Sequence, residues 1–288
     1  MKQYGLPYMG SKSKIAEEVL FNLPPADNLY DLFAGGCAIT HCALYSKKWK
    51  NIYINDIQDG VVLFLNAISG KYKNERRWIS REDFFELKDK DPYIRWCWSF
   101  GNNGKGYLYG KEVEPVKKLA HEYLLKNGYN GTSQSRVSSI KAFKELARIQ
   151  GRFQLQSLES LESLQSLERL ERLQSLQRLQ MTQLDYREVK IKPNSVIYCD
   201  PPYKQKKTKT NEKYYGLEFD TLAFYEWAKS TKHPVYFSSS FCDDTFFTEV
   251  WSRNKKTLMN NKNSFGKKQI IERLYWNNYG EEYKTTLF

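Results

Sequence analysis

The sequence predicts an α/β protein built on a mostly parallel sheet with helices on both faces, interrupted by a mainly helical insertion. Short hydrophobic strands alternate with helices over residues 1–69, this alternation is lost over residues 70–180, and it resumes over residues 181–288. Strands that alternate with helices are typical of a doubly wound parallel sheet. We therefore predict one domain formed by residues 1–69 and 181–288, with residues 70–180 inserted into it.

The elements of this domain follow from hydrophobic periodicity and from turn residues. Ser11 is expected to cap an amphipathic helix that ends at Pro24 and Pro25. The stretch NLYDLFAGGCAITHCALY predicts a strand, a glycine turn and a helix, and NIYIND followed by IQDGVVLFLNAI predicts a second strand and helix. After the insertion, further strands are predicted in SVIYCDPPY, HPVYFSSS and KNSFGKKQIIERLYWNN.

The insertion contains an unusual leucine repeat at residues 155–180, in which leucine recurs at every third position from Leu155 to Leu179. An α-helix would wind this stripe around its axis, whereas a 3₁₀-helix, with about three residues per turn, keeps the leucines in one column. The repeat therefore favours a 3₁₀-helix, with Arg169, Arg172 and Arg178 along one edge where they would follow phosphate groups. An α-helix or a low-complexity spacer without a role in recognition is the alternative.

Composition narrows the class of protein. The 288 residues include 45 Lys and Arg against 33 Asp and Glu, a net charge of +12, which favours a polyanionic partner such as nucleic acid. Five scattered cysteines without a C-x-x-C pair, and three separated histidines, indicate neither disulfides nor a metal site. The start MKQYGLPYMGSK has no apolar signal core, and the longest apolar run, VVLFL, is too short to span a bilayer. We expect a soluble, cytoplasmic protein.

Three acidic residues lie where predicted strands end. Asp31 opens the glycine turn DLFAGG, Asp56 ends the second strand, and Asp200 precedes two prolines that cannot continue a strand. Open α/β sheets bind ligands at the carboxyl ends of their strands. An acid about 20 residues beyond a glycine turn commonly accepts hydrogen bonds from ribose hydroxyl groups. Each residue also has a structural interpretation, as part of a packed turn, a helix cap or a strand exit.

Four segments in this order, PYMGSKSKI, DLFAGG, YIND and YCDPPY, resemble the class I S-adenosylmethionine-dependent methyltransferases, specifically the Dam-like (D12 class) adenine-N6 DNA methyltransferases. The likeness covers roughly the first 60 residues and the last hundred. It implies a Rossmann-like fold, S-adenosylmethionine as cofactor and double-stranded DNA as partner. It also implies a monomer in the cytoplasm of a bacterial or phage-infected cell, acting in restriction-modification or in a phage.

The resemblance also implies roles for individual residues. The Asp200 carboxylate and the Pro201 carbonyl would accept hydrogen bonds from the amino group of a flipped-out adenine, Pro202 would stiffen the backbone, and Tyr203 would stack on the base. Implied cofactor contacts are Tyr8, Gly10, Lys12, Asp31, Phe33, Gly35, Gly36, Asp56, Asp185, Tyr186 and Asp200. The segment WSFGNNGKGYLYGK stands where the family has its target-recognition hairpin. Predicted DNA contacts, besides the three arginines of the repeat, are Asn102, Asn103, Lys105, Lys204, Lys206 and Lys207.

The sequence therefore predicts a site-specific, adenine-N6 DNA methyltransferase. Two alternatives are open: a methyltransferase that acts on RNA adenine or on a glutamine amide in protein, and a protein that binds DNA or a partner without catalysis. The net charge of +12 argues against a protein substrate, and Asp200 rather than asparagine before P-P-Y favours adenine in DNA by resemblance. Intact Gly35, Gly36 and Asp56 argue against lost catalysis.

Overall fold

The computed structural model describes residues 3–126, 178–202, 219–255 and 270–280, and the single positions 163, 166, 167 and 170. The strands are β1 (Asn28–Asp31), β2 (Asn51–Asn55), β3 (Leu179–Thr182), β4 (Ser195–Cys199), β5 (Val235–Ser239), β6 (Thr248–Lys255) and β7 (Ile270–Trp276). The continuous α-helices are α1 (Ala16–Asn22), α2 (Ala38–Leu44), α3 (Gly60–Ile68), α4 (Arg81–Leu87), α5 (Pro92–Cys97), α6 (Glu114–Lys126) and α7 (Thr221–Ser230).

All seven strands form one sheet in the order β3-β2-β1-β4-β5-β7-β6. The pairs β1–β2, β2–β3, β1–β4 and β4–β5 are parallel, whereas β7 runs antiparallel to both β5 and β6. The prediction of a mostly parallel sheet is therefore confirmed. The edge strands β3 and β6 were not predicted from the sequence.

Both faces of the sheet are covered, as predicted. Along β4, Val196 and Tyr198 belong to one hydrophobic core, together with residues of α1, α2 and α3, while Ile197 and Cys199 belong to a second core, together with α7. The alternation follows from the strand geometry, which points successive side chains to opposite faces. All five residues of β4 are buried, which accounts for its continuous run of apolar side chains.

The start of α1 differs from the prediction. The helix begins at Ala16, after Ile15, and no side chain caps it. Ser11 instead accepts a hydrogen bond from the Ser13 amide, and Ser13 accepts one from the Tyr4 amide. These serines therefore fix the chain before the helix and tie it to the N-terminal segment, while Val19 still lies in the core as expected.

Helices α4, α5 and α6 and a 3₁₀ turn (Phe100–Asn102) lie between α3 and β3. Ser80 and Asp83 form a capping box at the start of α4. The buried Trp96 and Trp98 lie in the same core as the sheet residues Leu29 and Ile52, so this part of the chain packs on the sheet. None of the helices in the described ranges is both long and apolar enough to cross a membrane.

Positions 163, 166, 167 and 170 of the leucine repeat are α-helical, which corrects the predicted 3₁₀-helix at these positions, and its last residues, Leu179 and Gln180, belong to β3. Ser163, Leu167 and Leu170 are all buried, at spacings of four and three residues, as expected for one face of an α-helix. The buried positions thus include a serine together with two leucines of the repeat. The remaining repeat positions up to residue 177 lie outside the described residues.

Candidate active site

The three predicted acids come together at one edge of the sheet. Asp31 is the last residue of β1, and Asp56 and Asp200 directly follow β2 and β4. Because β1 pairs in parallel with both β2 and β4, the three strands end at the same edge. β2 and β4 lie on opposite sides of β1, so the direction in which the chain adds strands reverses at β1. In open α/β sheets, ligands bind in the crevice that forms at such a reversal.

The glycine turn lies between these acids. Its backbone is fixed by the Leu32 amide, which donates to the Tyr198 carbonyl of β4, and by the Ala34 amide, which donates to the Asn55 carbonyl of β2. Gly35 has a φ of +49°, a conformation that glycine adopts without strain. Cys37, two residues after Gly35, also has a positive φ and precedes α2. The turn therefore presents backbone at the start of a helix.

Tyr8 covers this turn. A Cβ atom placed on Gly36 would lie 2.5 Å from the Tyr8 Cβ, and one placed on Gly35 would lie 3.0 Å from the Tyr8 ring. The Leu6 amide also donates to the Gly36 carbonyl at 2.7 Å. Glycines are needed here because the N-terminal segment lies directly against the backbone. The structure thus brings together Tyr8, Gly35 and Gly36, which the resemblance assigns to the cofactor.

Asp56 accepts two backbone hydrogen bonds, from the Gly35 amide at 2.7 Å and from the Gln58 amide at 2.8 Å. Burial raises the pKa of Asp56 to about 6, although these two bonds lower it. The helix that follows begins later, with Asp59 at its N-cap position, so Asp56 does not cap it. Asp56 instead joins the glycine turn to the end of β2.

Asp31 is buried, and its Oδ2 accepts from the Thr40 amide at 3.2 Å and from the Thr40 hydroxyl at 2.7 Å. Its Oδ1 has no hydrogen-bond partner among the residues that the structure describes. Burial raises the pKa of Asp31 to about 7, the Thr40 bonds lower it, and the charges of Asp200 and Asp56 raise it further. The three acids therefore influence one another electrostatically.

We expect the Asp31→Asn variant to change how stability depends on pH. Asp31 keeps its proton in the folded state up to about pH 7, whereas an unfolded aspartate loses it near ~3.9. Between these values the folded state binds more protons, so this carboxyl contributes stability below its unfolded pKa that is lost as pH rises through its folded pKa. Asparagine does not titrate. The variant should therefore gain stability relative to wild type as pH rises through this window.

Urea unfolding across the window measures this difference. Asp27→Asn is the control, and its stability relative to wild type should change with pH in the opposite direction. The reason is that hydrogen bonds from Lys50 and Asn194 lower the pKa of Asp27. The contribution of Asp27 is present above its unfolded pKa and is lost as pH falls. A stability difference between Asp31→Asn and wild type that stays flat from acid to neutral pH would contradict the raised pKa.

Asp200 is part of a buried ionic cluster with Lys12 and Glu272. The Lys12 Nζ lies 2.7 Å from the Asp200 Oδ1 and 3.3 Å from the Glu272 Oε1. Burial lowers the pKa of Lys12, but the two carboxylates more than offset this and raise it above its ordinary value. Lys12 is thus cationic. Glu272, on β7, was not predicted, because no motif marks it and only the packing of the sheet brings it to Lys12.

Asp185 and Tyr186 lie beyond β3, in a segment held by Asn55. The Asn55 side chain donates to the Leu184 carbonyl and accepts from the Leu184 amide. The Tyr186 ring contacts the Phe33 ring of the glycine turn at 5.1 Å between centroids. Asp185 forms an ion pair with Arg187 at 2.7 Å, and hydrogen bonding to Arg187 lowers the pKa of Asp185. Tyr186 is therefore a core residue that also borders the turn.

Several predicted DNA contacts have internal partners. The Asn102 side chain donates to the Trp96 carbonyl at 2.9 Å, and the Asn103 side chain accepts from the Lys105 amide. The Arg178 guanidinium donates to the carbonyls of Lys50, Ser46 and Trp49. Arg178 thus anchors the start of β3. Lys105 is exposed. The others, Arg169, Arg172, Tyr203, Lys204, Lys206 and Lys207, lie outside the described residues.

Gly10, Pro201 and Pro202 complete the predicted site residues within the described ranges. Gly10 has a φ of +82°, and Pro201, directly after Asp200, is buried. In the part of the chain that the structure describes, no group of three or more His, Cys, Asp or Glu is placed to hold a metal ion. Catalysis without a metal stays a prediction.

Comparisons with known proteins identify the family of this chain. No curated protein sequence matches the chain. One similar solved structure is the rRNA methyltransferase aviRa from Streptomyces viridochromogenes, at 10% identity over 93% of this chain and 84% of that chain, with a TM-score of 0.35. The protein family described as "D12 class N6 adenine-specific DNA methyltransferase" matches residues 8–265, which is well over half of the chain. This range includes the glycine turn and all three acids. The chain belongs to the D12 class N6 adenine-specific DNA methyltransferase family.

Proposed function

We propose that this enzyme transfers a methyl group from S-adenosylmethionine to the N6 amino group of an adenine that is flipped out of a specific site in double-stranded DNA. The observation that carries the proposal is the position of Asp200. This carboxylate follows β4 at the same edge as the glycine turn, next to the buried Pro201, and its charge reaches Asp31 and Asp56. A substrate amine at Asp200 would therefore face whatever the glycine turn binds.

The residues around the turn fit S-adenosylmethionine. This cofactor carries a positive sulfonium and an ammonium group, and Asp56, with a pKa of about 6, and Asp200, paired with Lys12, would supply negative charge beside it at neutral pH. Asp56 already accepts two backbone bonds, and a carboxylate has about four acceptor sites, so it retains capacity for ribose hydroxyls. Phe33 and Tyr186 supply apolar surface beside the turn for a purine ring. Tyr8, Gly10 and Lys12 would close the site from the N-terminal segment.

Asp200 and Pro201 are proposed to act by position and electrostatics. The lone pair of an aryl amine is delocalised into its ring, so the amine must be held with this lone pair directed at the methyl donor. Two fixed acceptors, the Asp200 carboxylate and the Pro201 carbonyl, can hold the two N–H groups in this way. In the transfer, the bond from the methyl carbon to sulfur would break with its electron pair staying on sulfur as a neutral thioether, the amine lone pair would form the bond from nitrogen to carbon, and one proton would leave the methylated amine to solvent. Pro202 would keep the backbone rigid and Tyr203 would stack on the base.

DNA is proposed to lie over the same edge, with residues 70–180 as the recognition region. The net charge of +12 supports binding to a polyanion. Extrusion of the base costs a few kcal/mol of unstacking, which stacking on Tyr203 would partly offset. Lys105, Lys204, Lys206 and Lys207 are proposed phosphate contacts, and Asn102 and Asn103 would reach bases only after leaving their internal partners. We propose that the enzyme acts as a cytoplasmic monomer.

Labelled S-adenosylmethionine tests the proposal directly. The full-length protein is incubated with duplex DNA, total RNA or a protein mixture, and each product is digested to nucleosides or amino acids. Label in N6-methyldeoxyadenosine supports the proposal. Label only in RNA or in glutamine selects another substrate, and binding of DNA without label identifies a protein without catalysis. Sequencing of methylated sites in DNA from cells that express the protein gives the target sequence.

A further inference from the structure

We infer that Glu272 is a positioning residue, which acts on Asp200 through Lys12 and keeps the catalytic cluster negatively charged. This inference rests on the proposed function. Lys12 contacts Asp200 at 2.7 Å and Glu272 at 3.3 Å, so one ammonium group joins the two carboxylates. The side chains of Lys12 and Glu272 are only 6% and 3% exposed, compared with 20% for Asp200. Asp200 is thus the member of the cluster that substrate can reach.

The place of Glu272 in the sheet explains why its charge matters. It lies on β7, two residues before Leu274, and side chains two residues apart in a strand point to the same face. Leu274 is fully buried in the core that also contains Tyr198. A carboxylate on this face is costly to bury unless a cation pairs with it. Lys12 supplies this cation, so an energetically costly buried ion pair lies at the site of the proposed chemistry.

The charges of the cluster give Glu272 a specific role. Lys12 and Asp200 alone would form a neutral pair, whereas Glu272 adds a second negative charge, so these three side chains together carry a charge of −1. The adenine amine gains positive charge as it is methylated, because a neutral nitrogen takes up a methyl cation. A negative cluster at Asp200 stabilises this developing charge. Without Glu272, Lys12 would cancel much of the attraction that Asp200 exerts.

Glu272 also restrains the geometry of Lys12. A lysine ammonium has three donors on a flexible stem, so a single carboxylate partner can be bound in several arrangements. A second partner fixes the ammonium between two acceptors and directs it to the Asp200 Oδ1. Since a carboxylate has about four acceptor sites, Asp200 can still accept a hydrogen bond from the substrate amine. Glu272 would thus set the orientation in which Asp200 meets adenine.

The test compares Glu272→Gln with Glu272→Asp under saturating DNA and S-adenosylmethionine. Glutamine keeps the shape and removes the charge, and we expect kcat to fall at least about tenfold, less than the ~10²-fold loss on removing a direct electrostatic contact. The KM values should change little, because the Glu272 side chain is only 3% exposed and would not touch substrate. Aspartate keeps the charge but is shorter, and should retain more activity than glutamine. A purely structural role predicts the reverse order, which would overturn the inference.

The control is Glu249→Gln on the neighbouring strand β6, where Glu249 pairs with Arg273 at 3.0 Å and is 41% exposed. It should keep wild-type kcat. A stability cycle tests the contact without activity: Lys12→Met leaves two carboxylates without their shared cation, so adding Glu272→Gln should restore part of the lost stability. Additive effects would contradict the inference. If the wild type itself fails to label N6-methyldeoxyadenosine, the proposed function fails. A wild-type kcat in Glu272→Gln defeats this inference alone.

Discussion

Replacement of Asp200 by alanine is expected to abolish methyl transfer while the protein stays folded. Alanine removes the acceptor that would orient the adenine amine and the charge that would stabilise its methylated form. Loss of one preorganised electrostatic contact commonly lowers kcat by ~10²-fold or more, and Asp200 is proposed to combine positioning with charge. Lys12 would still be paired with Glu272 in the variant, so the fold does not acquire an isolated buried cation. Single-turnover transfer of labelled methyl measures the loss.

The comparison needs a variant that separates charge from shape. Asp200→Asn keeps the shape, but one acceptor oxygen becomes a donor and the negative charge is lost, so its activity should also fall sharply. Asp243→Asn is the matched control, because Asp243 is an exposed acid just beyond the end of the neighbouring strand β5. It should transfer methyl groups at the wild-type rate. Near-normal turnover in Asp200→Ala, with circular dichroism unchanged, would remove Asp200 from the mechanism.

The central strands could be predicted because their burial is visible in the sequence. In β1 and β4 every residue is buried, and the apolar run is ended by an acid and a turn. The edge strands lack this signal. β3 alternates between half-buried and exposed residues, and β6 reads TEVWSRNK, in which Val250 and Trp251 are the two apolar residues. An edge strand has one neighbour, so its place in the sheet depends on pairing with β2 or β7, which no local pattern encodes.

The leucine repeat shows that the spacing of apolar residues does not by itself determine the type of helix. Nine leucines spaced by three favour a three-fold helix when the segment is considered alone. Positions 163, 166, 167 and 170 are α-helical, and Ser163, Leu167 and Leu170 share one buried face at α-helical spacing. Backbone hydrogen bonds are better aligned in an α-helix than in a 3₁₀-helix. A prediction from the leucine spacing alone does not include this preference of the backbone.

The candidate site divides in the same way. Asp31, Asp56 and Asp200 were predictable, because an acid after an apolar strand in an α/β sheet marks the ligand edge. Glu272 was not, since an acid within an ordinary strand is usually exposed and only the fold brings it to Lys12. Asn102 and Arg178 have polar side chains that suggested contacts with DNA, yet the structure gives them backbone carbonyls as partners. Residue type predicts hydrogen bonding well and the choice of partner poorly.

Gly5→Ala is expected to destabilise the protein strongly and to weaken cofactor binding. Gly5 has a φ of +71°, which costs an alanine about 1–2 kcal/mol. A Cβ there would lie 2.4 Å from the Gly36 carbonyl oxygen and 2.7 Å from the Ala38 amide nitrogen, both of them backbone atoms. Overpacking of this kind costs about 1–3 kcal/mol, so the free energy of unfolding should fall by roughly 2–5 kcal/mol in total.

The atoms that clash with the added Cβ belong to the glycine turn and the start of α2, so Gly5→Ala should also affect cofactor binding. Relief requires the Gly36 carbonyl or the start of α2 to move, and either shift displaces the backbone proposed to hold S-adenosylmethionine. Gly101→Ala separates strain from clash, because Gly101 has a φ of +62° and open space around its Cβ position. Urea unfolding should show a larger loss for Gly5→Ala, and calorimetric titration should show weaker cofactor binding in that variant alone. Equal stability losses in the two variants would mean that the N-terminal segment yields without moving the turn.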